Sequence, residues 1–221
     1  MPGDCFIQAA RSLRRLSENA ALRTDFVLFG VSIIPRYTRS LINVEFVNCA
    51  TPQSKYLAKA QPLSEFQVIH LAVHDLANAE FPDRGALVLG SSAATGDDGL
   101  LQVREIPDLP LRAELVTLSA CDTGAGKLLG QEGIASLDRA FLLAGAKSVI
   151  ASLWPADDTF TIALMKRMYQ HLADGRDKGA ALRQAKLDLL NEFGDQALPV
   201  YWAGFTLAGD GSTPVSNKQP R

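Results

Sequence analysis

Two residues of this sequence could act together as a nucleophile and a base, Cys121 and His74. Cys121 follows an apolar, partly β-branched run at 115–118, which is typical of a buried strand. His74 follows a second run of this kind at 66–73. If the two strands are parallel neighbours, both residues emerge at one edge of the sheet, where catalytic groups collect in open parallel sheets. That placement would bring a thiol and an imidazole together, as nucleophilic catalysis by cysteine requires.

The chemistry expected of such a pair is acyl transfer through a thiolate. A free cysteine has an ordinary pKa of ~8.5, and a neighbouring imidazole favours the thiolate. His74 would take the proton of Cys121 and later give it to the leaving amine. Backbone amides of the turn after Cys121 could hold the oxyanion. The alternative is that Cys121 is a small buried hydrophobic residue, the common state of a free cysteine.

The other histidines do not indicate a metal site. His70 and His74 have the spacing of a zinc peptidase motif, but that motif needs a helix and a Glu where this chain has Leu71. His70 is predicted to be a hydrogen-bonded core residue, because it lies in the middle of a buried strand. His171 is predicted to be a solvated residue at the end of a helix.

Glycine-rich segments do not indicate a nucleotide site or a serine hydrolase. Gly124, Gly126 and Lys127 lack the earlier glycine and the following Ser or Thr of a phosphate loop. The segment Gly90 to Ser92 does not complete a Gly-x-Ser-x-Gly motif. The sequence therefore predicts neither a metal nor a cofactor.

Composition limits the partners and the compartment. Among 221 residues, 22 basic and 24 acidic side chains give a net charge of -2, which does not favour nucleic acid. The cysteines, Cys5, Cys49 and Cys121, are too few and too scattered for a disulfide framework and indicate a reducing compartment. No signal peptide and no apolar run of ~18 residues is recognisable. A soluble cytoplasmic protein without a membrane partner is predicted.

Hydrophobic periodicity predicts alternating strands and helices. Strands are predicted at 26–34, 41–47, 66–73, 85–90, 115–118, 148–153 and 201–208, the last including Trp202 as a core residue. Helices are predicted at 5–22, 51–60, 131–144, 158–171 with Asp158 as its N-cap, and 177–193. A short strand and one helical turn are predicted within 99–113. Strands that alternate with helices predict a parallel sheet covered on both faces.

Five motifs in this order and spacing resemble the CHAT domain, a branch of the caspase-like cysteine peptidases that is related to separases. They are HLAVHD, DGLL, LVTLSACDTG, FLLAGAKSVIASLWPADD and YWAGF. The resemblance covers roughly residues 25–209 and implies a caspase-like three-layer α/β sandwich, with a mostly parallel central sheet between helices. Residues 1–24 are then predicted to be a helix that ends an upstream helical repeat array, and residues 210–221 a disordered tail.

The resemblance also implies roles for individual residues. His74 and Cys121 match the catalytic dyad of the family, and the backbone amides of Asp75 and Cys121 match the oxyanion site. The candidate lining of the substrate pocket is Asp122, Asp157, Asp158 and Ile162. For Asp157 and Asp158, a helix cap with a favourable dipole interaction is an equal alternative. Ile162 aligns with an acidic residue of separases that receives a basic side chain, so an apolar or small residue is expected before the cut.

Two functions remain open from the sequence. The first is a cysteine endopeptidase that acts on a protein or peptide substrate, regulated by an upstream domain such as TPR repeats. The second is a catalytically silent, caspase-like interaction module. Asp75 favours the second, because the family has Gly directly after the catalytic histidine and a carboxylate there opposes a developing negative charge.

Overall fold

A computed structural model of the protein describes residues 26–30, 44–48, 63–76, 84–89, 98–119, 130–154 and 156–215. For 26–30, 44–48, 74–75 and 130–136 it describes the backbone alone. The helices predicted at 5–22 and 51–60 lie outside the described residues. So do Cys121, Asp122 and residues 216–221.

Most strands lie within a few residues of their predicted positions along the sequence. The strands are β1 (Phe26–Gly30), β2 (Val44–Asn48), β3 (Val68–Ala72), β4 (His74–Leu76), β5 (Ala86–Val88), β6 (Leu100–Gln102), β7 (Leu115–Leu118), β8 (Ser148–Ser152) and β9 (Phe205–Gly209). The α-helices in the described ranges are α1 (Gly130–Leu143), α2 (Asp158–Ala173), α3 (Lys178–Phe193) and the short α4 (Pro199–Trp202). Short 3₁₀ helices cover Leu63–Glu65, Val103–Asp108 and Gly194–Gln196.

The central sheet has six strands in the order β2-β1-β3-β7-β8-β9. All of its pairs are parallel except β8 with β9, which is antiparallel. The predicted, mostly parallel sheet is therefore confirmed. A second sheet, β4-β5-β6, is antiparallel and begins immediately after β3, with a bend at Val73 between them.

Alternating side chains of the central strands fill two separate cores. Odd-numbered positions of β3, such as Ile69, belong with Val116 and Val149 to the core under α1 and the second sheet. Val68, Leu115 and Ile150 belong to the core under α2 and α3. A strand that is buried on both faces needs apolar residues at nearly every position, which explains the continuous apolar runs. The result is the predicted three-layer α/β sandwich.

Helix ends are fixed by side-chain caps and by glycine. The carboxylate of Asp157 accepts the amides of Thr159 and Phe160 at 2.9 and 3.1 Å, and Asp177 accepts the amide of Ala180 at 2.6 Å. Gly145 follows α1 with φ +110°, and a Cβ there would collide with the Leu111 carbonyl oxygen. Only glycine fits that close approach. None of the helices in the described part of the chain combines the length and the apolar composition that a membrane span requires.

Two predicted element boundaries are wrong in the C-terminal part of the chain. The N-cap of α2 is Asp157, and Asp158 is the first helical residue. Tyr201 and Trp202 belong to α4, because Pro199 starts a helical turn before β9 begins at Phe205.

The predicted disordered tail does not hold for residues 210–215. Val215 is buried, and Pro214 forms an isolated β-bridge with Asp177 at the start of α3. An apolar side chain that reaches the core under α3 gives this segment a reason to be ordered.

Candidate functional site

The carboxyl edge of the central sheet is the candidate site, because both predicted catalytic residues follow strands that end there. β3 and β7 are parallel neighbours, with Leu71 opposite Leu118. The ladder closes with the amide of Ser119, which donates to the Leu71 carbonyl at 3.1 Å. The expectation that the two strands lie side by side and run in the same direction is therefore confirmed.

The backbone that follows β3 changes sheets just beyond that bond. After Val73 the chain leaves the central sheet, and the backbone of His74 pairs with Val88 in the antiparallel sheet. Asp75 is the next residue of β4, opposite Leu87. Cys121 lies outside the described residues, so the proximity of the His74 imidazole and the Cys121 thiol stays a prediction.

A buried network of polar side chains connects β3 and β7 at this edge, and the sequence predicted only its histidine. His70 Nδ1 lies 2.9 Å from the Tyr169 hydroxyl, and His70 Nε2 lies 2.6 Å from Ser119 Oγ. The Tyr169 hydroxyl donates to Thr117 Oγ1 at 3.0 Å. The network therefore joins β3, β7 and α2 through four side chains. The prediction that His70 is a hydrogen-bonded core residue is confirmed.

Both ring nitrogens of His70 face hydroxyl groups, Tyr169 at Nδ1 and Ser119 at Nε2. A hydroxyl can either donate or accept, so either neutral tautomer satisfies both ring nitrogens. Burial lowers the pKa of His70 to about 3 and raises the pKa of Tyr169 above its ordinary value. Both groups are therefore neutral near pH 7.

Ser119 and His70 resemble a nucleophile and its base in distance, but their environment does not suit that chemistry. Their exposed fractions are 6% and 1%, so a substrate carbonyl cannot reach the Ser119 oxygen in this arrangement. A general base works best with a pKa near the operating pH. His70 has a pKa of about 3. The pair is therefore suited to hold structure at the edge and not to transfer an acyl group.

Sequence reasoning missed Ser119, Thr117 and Tyr169 as members of the site. Ser119 directly follows the buried strand, and this position was the available signal. Tyr169 is 99 residues from His70 along the chain, in a helix with an apolar inner face, and no local pattern distinguishes it from a core residue.

The segment after β8 forms one side of the same edge. The Trp154 indole donates to the Val200 carbonyl at 2.7 Å, and Ser152 Oγ donates to the Trp154 carbonyl at 2.6 Å. A Cβ at Gly204 would lie 2.8 Å from the Trp154 ring, so the ring packs directly on backbone. These contacts hold the Trp154 side chain against the backbone that enters β9, on the side of β8 away from β7.

The predicted pocket residues near α2 have separate positions. Asp157 is exposed and its carboxylate caps α2, which supports the alternative of a helix cap. Asp158 and Ile162, partly buried, lie in the first two turns of the helix. The first turn of α2 starts at the carboxyl edge because it follows β8 after a short connection.

His171 differs from its predicted solvated state. Its Nε2 lies 2.6 Å from an Asp188 carboxylate oxygen on α3, and its side chain is largely buried between the two helices. Within the described residues, no group of three or more His, Cys, Asp and Glu side chains comes together as a metal site would need.

Solved structures with this architecture are caspase-like peptidases. Gingipain R, an Arg-specific cysteine proteinase, is 13% identical with a TM-score of 0.54, and the match covers 97% of this chain and 54% of gingipain. The separase of Saccharomyces cerevisiae in complex with securin is 12% identical with a TM-score of 0.51, covering 94% of this chain and 13% of separase. Identities this low define the fold class alone, a caspase-like α/β sandwich.

Sequence comparison defines the family. The family model of the CHAT domain matches residues 36–210, and the chain therefore belongs to the CHAT domain family. Curated relatives are the mouse and human forms of tetratricopeptide repeat protein 28, each 34% identical over 110 residues. The match covers 50% of this chain and 4% of either relative, so the chain spans a small part of their length.

Proposed function

We propose that this domain is a cysteine endopeptidase with Cys121 as the nucleophile and His74 as the general base and acid. The observation that carries the proposal is the register of β3 and β7, in which Leu71 lies opposite Leu118. His74 and Cys121 each follow three residues after one member of that pair. His74 and Cys121 are therefore equally far along the sequence from two residues that face each other in neighbouring strands.

The reaction would proceed in two halves. The His74 imidazole accepts the thiol proton of Cys121, and the thiolate attacks the carbonyl carbon of the scissile peptide bond. The backbone amides of Asp75 and Cys121 donate to the oxyanion, where one donor is worth ~3 kcal/mol. His74 then gives its proton to the leaving amine, and the carbon–nitrogen bond breaks. Water, deprotonated by His74, hydrolyses the thioester and releases the acid and the free thiol.

The substrate would lie along the side of the edge formed by the segment after β8. Ile162 supplies an apolar side chain there, and Trp154 offers a firm wall because its indole is fixed by Val200. We assign Asp122 and Asp158 to the same pocket and expect an apolar or small residue before the cut. Asp157 would act on the pocket indirectly, because its carboxylate caps α2 and so helps to fix the position of that helix.

Regulation by an upstream TPR-type segment is part of the proposal. The curated relatives are named for tetratricopeptide repeats, and the chain spans 4% of their length, so much of each relative lies outside the matched domain. The cytoplasm is the proposed compartment, because three scattered cysteines suit a reducing environment.

The second candidate function is a silent caspase-like interaction module. Asp75 favours it, because its carboxylate belongs to the residue whose amide would face the oxyanion. A negative charge near a developing negative charge raises the energy of the transition state. The two candidates share one fold and differ in turnover.

Covalent labelling of the full chain by peptide acyloxymethyl ketones decides between the candidates. A warhead with a small apolar residue at the position before the cut should label the parent chain at Cys121. Cys121→Ala should abolish labelling, whereas Cys49→Ala should leave it unchanged. His74→Ala should slow labelling by about 10² or more, the usual worth of a general acid or base.

Asp75→Gly sharpens the distinction. In an active peptidase the change should increase the labelling rate, because it removes a negative charge and restores the family residue. Labelling that persists in Cys121→Ala, or is absent from both the parent and Asp75→Gly, would reject the peptidase in favour of the module.

A further inference from the structure

The strongest unexplained feature is the diagonal link between His70 and Ser119. His70 lies opposite Thr117 in the ladder, yet its Nε2 contacts Ser119, two residues closer to the edge. The last backbone bond between the strands is made at the same place, by the Ser119 amide to Leu71. Beyond this point the backbone after β3 turns into the second sheet, and within the described residues no later backbone hydrogen bond joins it to β7.

The link is anchored from a third element. The Tyr169 hydroxyl on α2 contacts both His70 Nδ1 and Thr117 Oγ1, at 2.9 and 3.0 Å. Both ring nitrogens of His70 therefore have a fixed partner, and the ring cannot rotate without breaking one of them. Buried polar groups that lose a partner carry a large desolvation cost, so the arrangement is strongly preferred.

We infer that His70 is a positioning residue that fixes the ends of β3 and β7 against each other through Ser119. This inference rests on the proposed function, because its consequence is the spacing of His74 and Cys121. Ser119 lies two residues before Cys121, and His70 lies four residues before His74. A displacement of one strand end relative to the other would pass directly to the dyad. A misplacement of about 1 Å in an active site can cost about 10²-fold in rate.

The test uses the reactivity of Cys121 towards iodoacetamide, a small reagent that does not need the substrate pocket. Alkylation of Cys121 in the full chain is followed against pH by peptide mass spectrometry, which separates it from Cys5 and Cys49. In the parent chain, the pH at which the alkylation rate reaches half of its maximum (the midpoint) should lie below the ordinary thiol pKa of ~8.5, because the imidazole favours the thiolate.

Ser119→Ala removes the link and has a matched control in the same sheet. The midpoint should move towards ~8.5, and labelling by the peptide warhead should slow about 10- to 100-fold. Ser148 is also fully buried and donates one bond, to the Asp210 carbonyl at 2.5 Å, but it lies at the opposite edge. Ser148→Ala should lower the melting temperature by a similar amount and leave both readouts unchanged.

The outcomes separate the two hypotheses. A parent midpoint near ~8.5 rejects the dyad, and the positioning role with it. If the midpoint of the parent is lowered and Ser119→Ala has the same midpoint, the positioning role is rejected and the dyad is retained. If Ser119→Ala does not fold, Tyr169→Phe decides on the same readouts, since it removes only the hydroxyl that holds His70.

Discussion

The two edges of the central sheet hold buried polar groups of opposite character on the same face. At the carboxyl edge, His70, Ser119 and Tyr169 are neutral and joined by short, directional hydrogen bonds. At the amino edge, the fully buried Lys178 ammonium donates to Thr213 at 3.1 Å and lies 3.8 Å from carboxylates of Glu114 and Asp210. Burial lowers the pKa of Lys178, partly offset by these two carboxylates.

The difference indicates a division of roles along the strands. Charges at about 4 Å attract each other without a strong angular preference, so the amino edge can stabilise the fold and tolerate small displacements. Hydrogen bonds to an imidazole weaken steeply when their angles change. The carboxyl edge therefore resists displacement, and it is the edge from which the chain continues to His74 and Cys121. Three further predictions test this contrast, beginning with the largest effect.

The carboxyl edge should be the acid-sensitive one because of His70. Its pKa is about 3 in the folded protein against an ordinary 6.5, so the unfolded chain binds the proton first as pH falls. The stability from His70 is complete above pH 6.5 and is lost as the pH drops from 6.5 towards 3. Over that whole range the loss is on the order of 4 kcal/mol.

Urea unfolding near neutral pH and again in mild acid measures this effect. His70→Gln should be less stable than the parent near neutrality, but its free energy of unfolding should fall less with acid. Ser148→Ala is the control, because it removes a buried hydrogen bond and no titrating group. Equal acid sensitivity in His70→Gln and the parent would contradict the assignment of a neutral, buried imidazole.

The amino edge should contribute stability without affecting the thiol. Lys178→Met keeps the aliphatic length but removes a charged donor from Thr213, which should lower the free energy of unfolding by about 2 kcal/mol. The two carboxylates do not lose all partners, because Glu114 keeps Lys147 and Asp210 keeps Ser212. Lys147 contacts the same Glu114 at 2.7 Å with 57% of its side chain exposed. Lys147→Met should therefore cost less than about 1 kcal/mol.

Alkylation of Cys121 provides the second readout for Lys178→Met. Its pH midpoint should match that of the parent under conditions in which the variant is folded. A shift as large as that of Ser119→Ala would show that both edges act on the dyad, and the proposed division of roles would fail.

The smallest effect concerns Asp157, a charged residue at the carboxyl edge. Because its carboxylate accepts two amides of α2, Asp157→Ala should lower the free energy of unfolding by about 1 kcal/mol. Asp158→Ala, in the first turn but not the cap, should cost roughly half as much. Calorimetry measures both. If the relative labelling rates of different peptide warheads change in Asp157→Ala and not in Asp158→Ala, Asp157 lines the substrate pocket.

Most of the sandwich was predictable because its strands and helices carry strong local patterns. The continuous apolar runs at 66–73, 115–118 and 148–153 correspond to β3, β7 and β8, and the long helices were placed within a few residues. Errors fell where local signals compete. An aromatic run at 201–208 favoured a strand, whereas Pro199 starts α4 and shortens it. Asp157 and Asp158 are adjacent and both suit an N-cap, so the sequence could not show which of them caps α2.

The sequence by itself determined the family motifs, the order of the elements and the positions of His74 and Cys121 at the ends of two buried runs. These properties depend on neighbouring residues, since propensity and periodicity act over a few positions. Only the tertiary structure decided that His70 bonds Ser119 and Tyr169, which lie 49 and 99 residues away along the chain. A buried donor must find an acceptor wherever the packed elements provide one, and that choice is made by the register of β3 against β7 and by the placement of α2 across them.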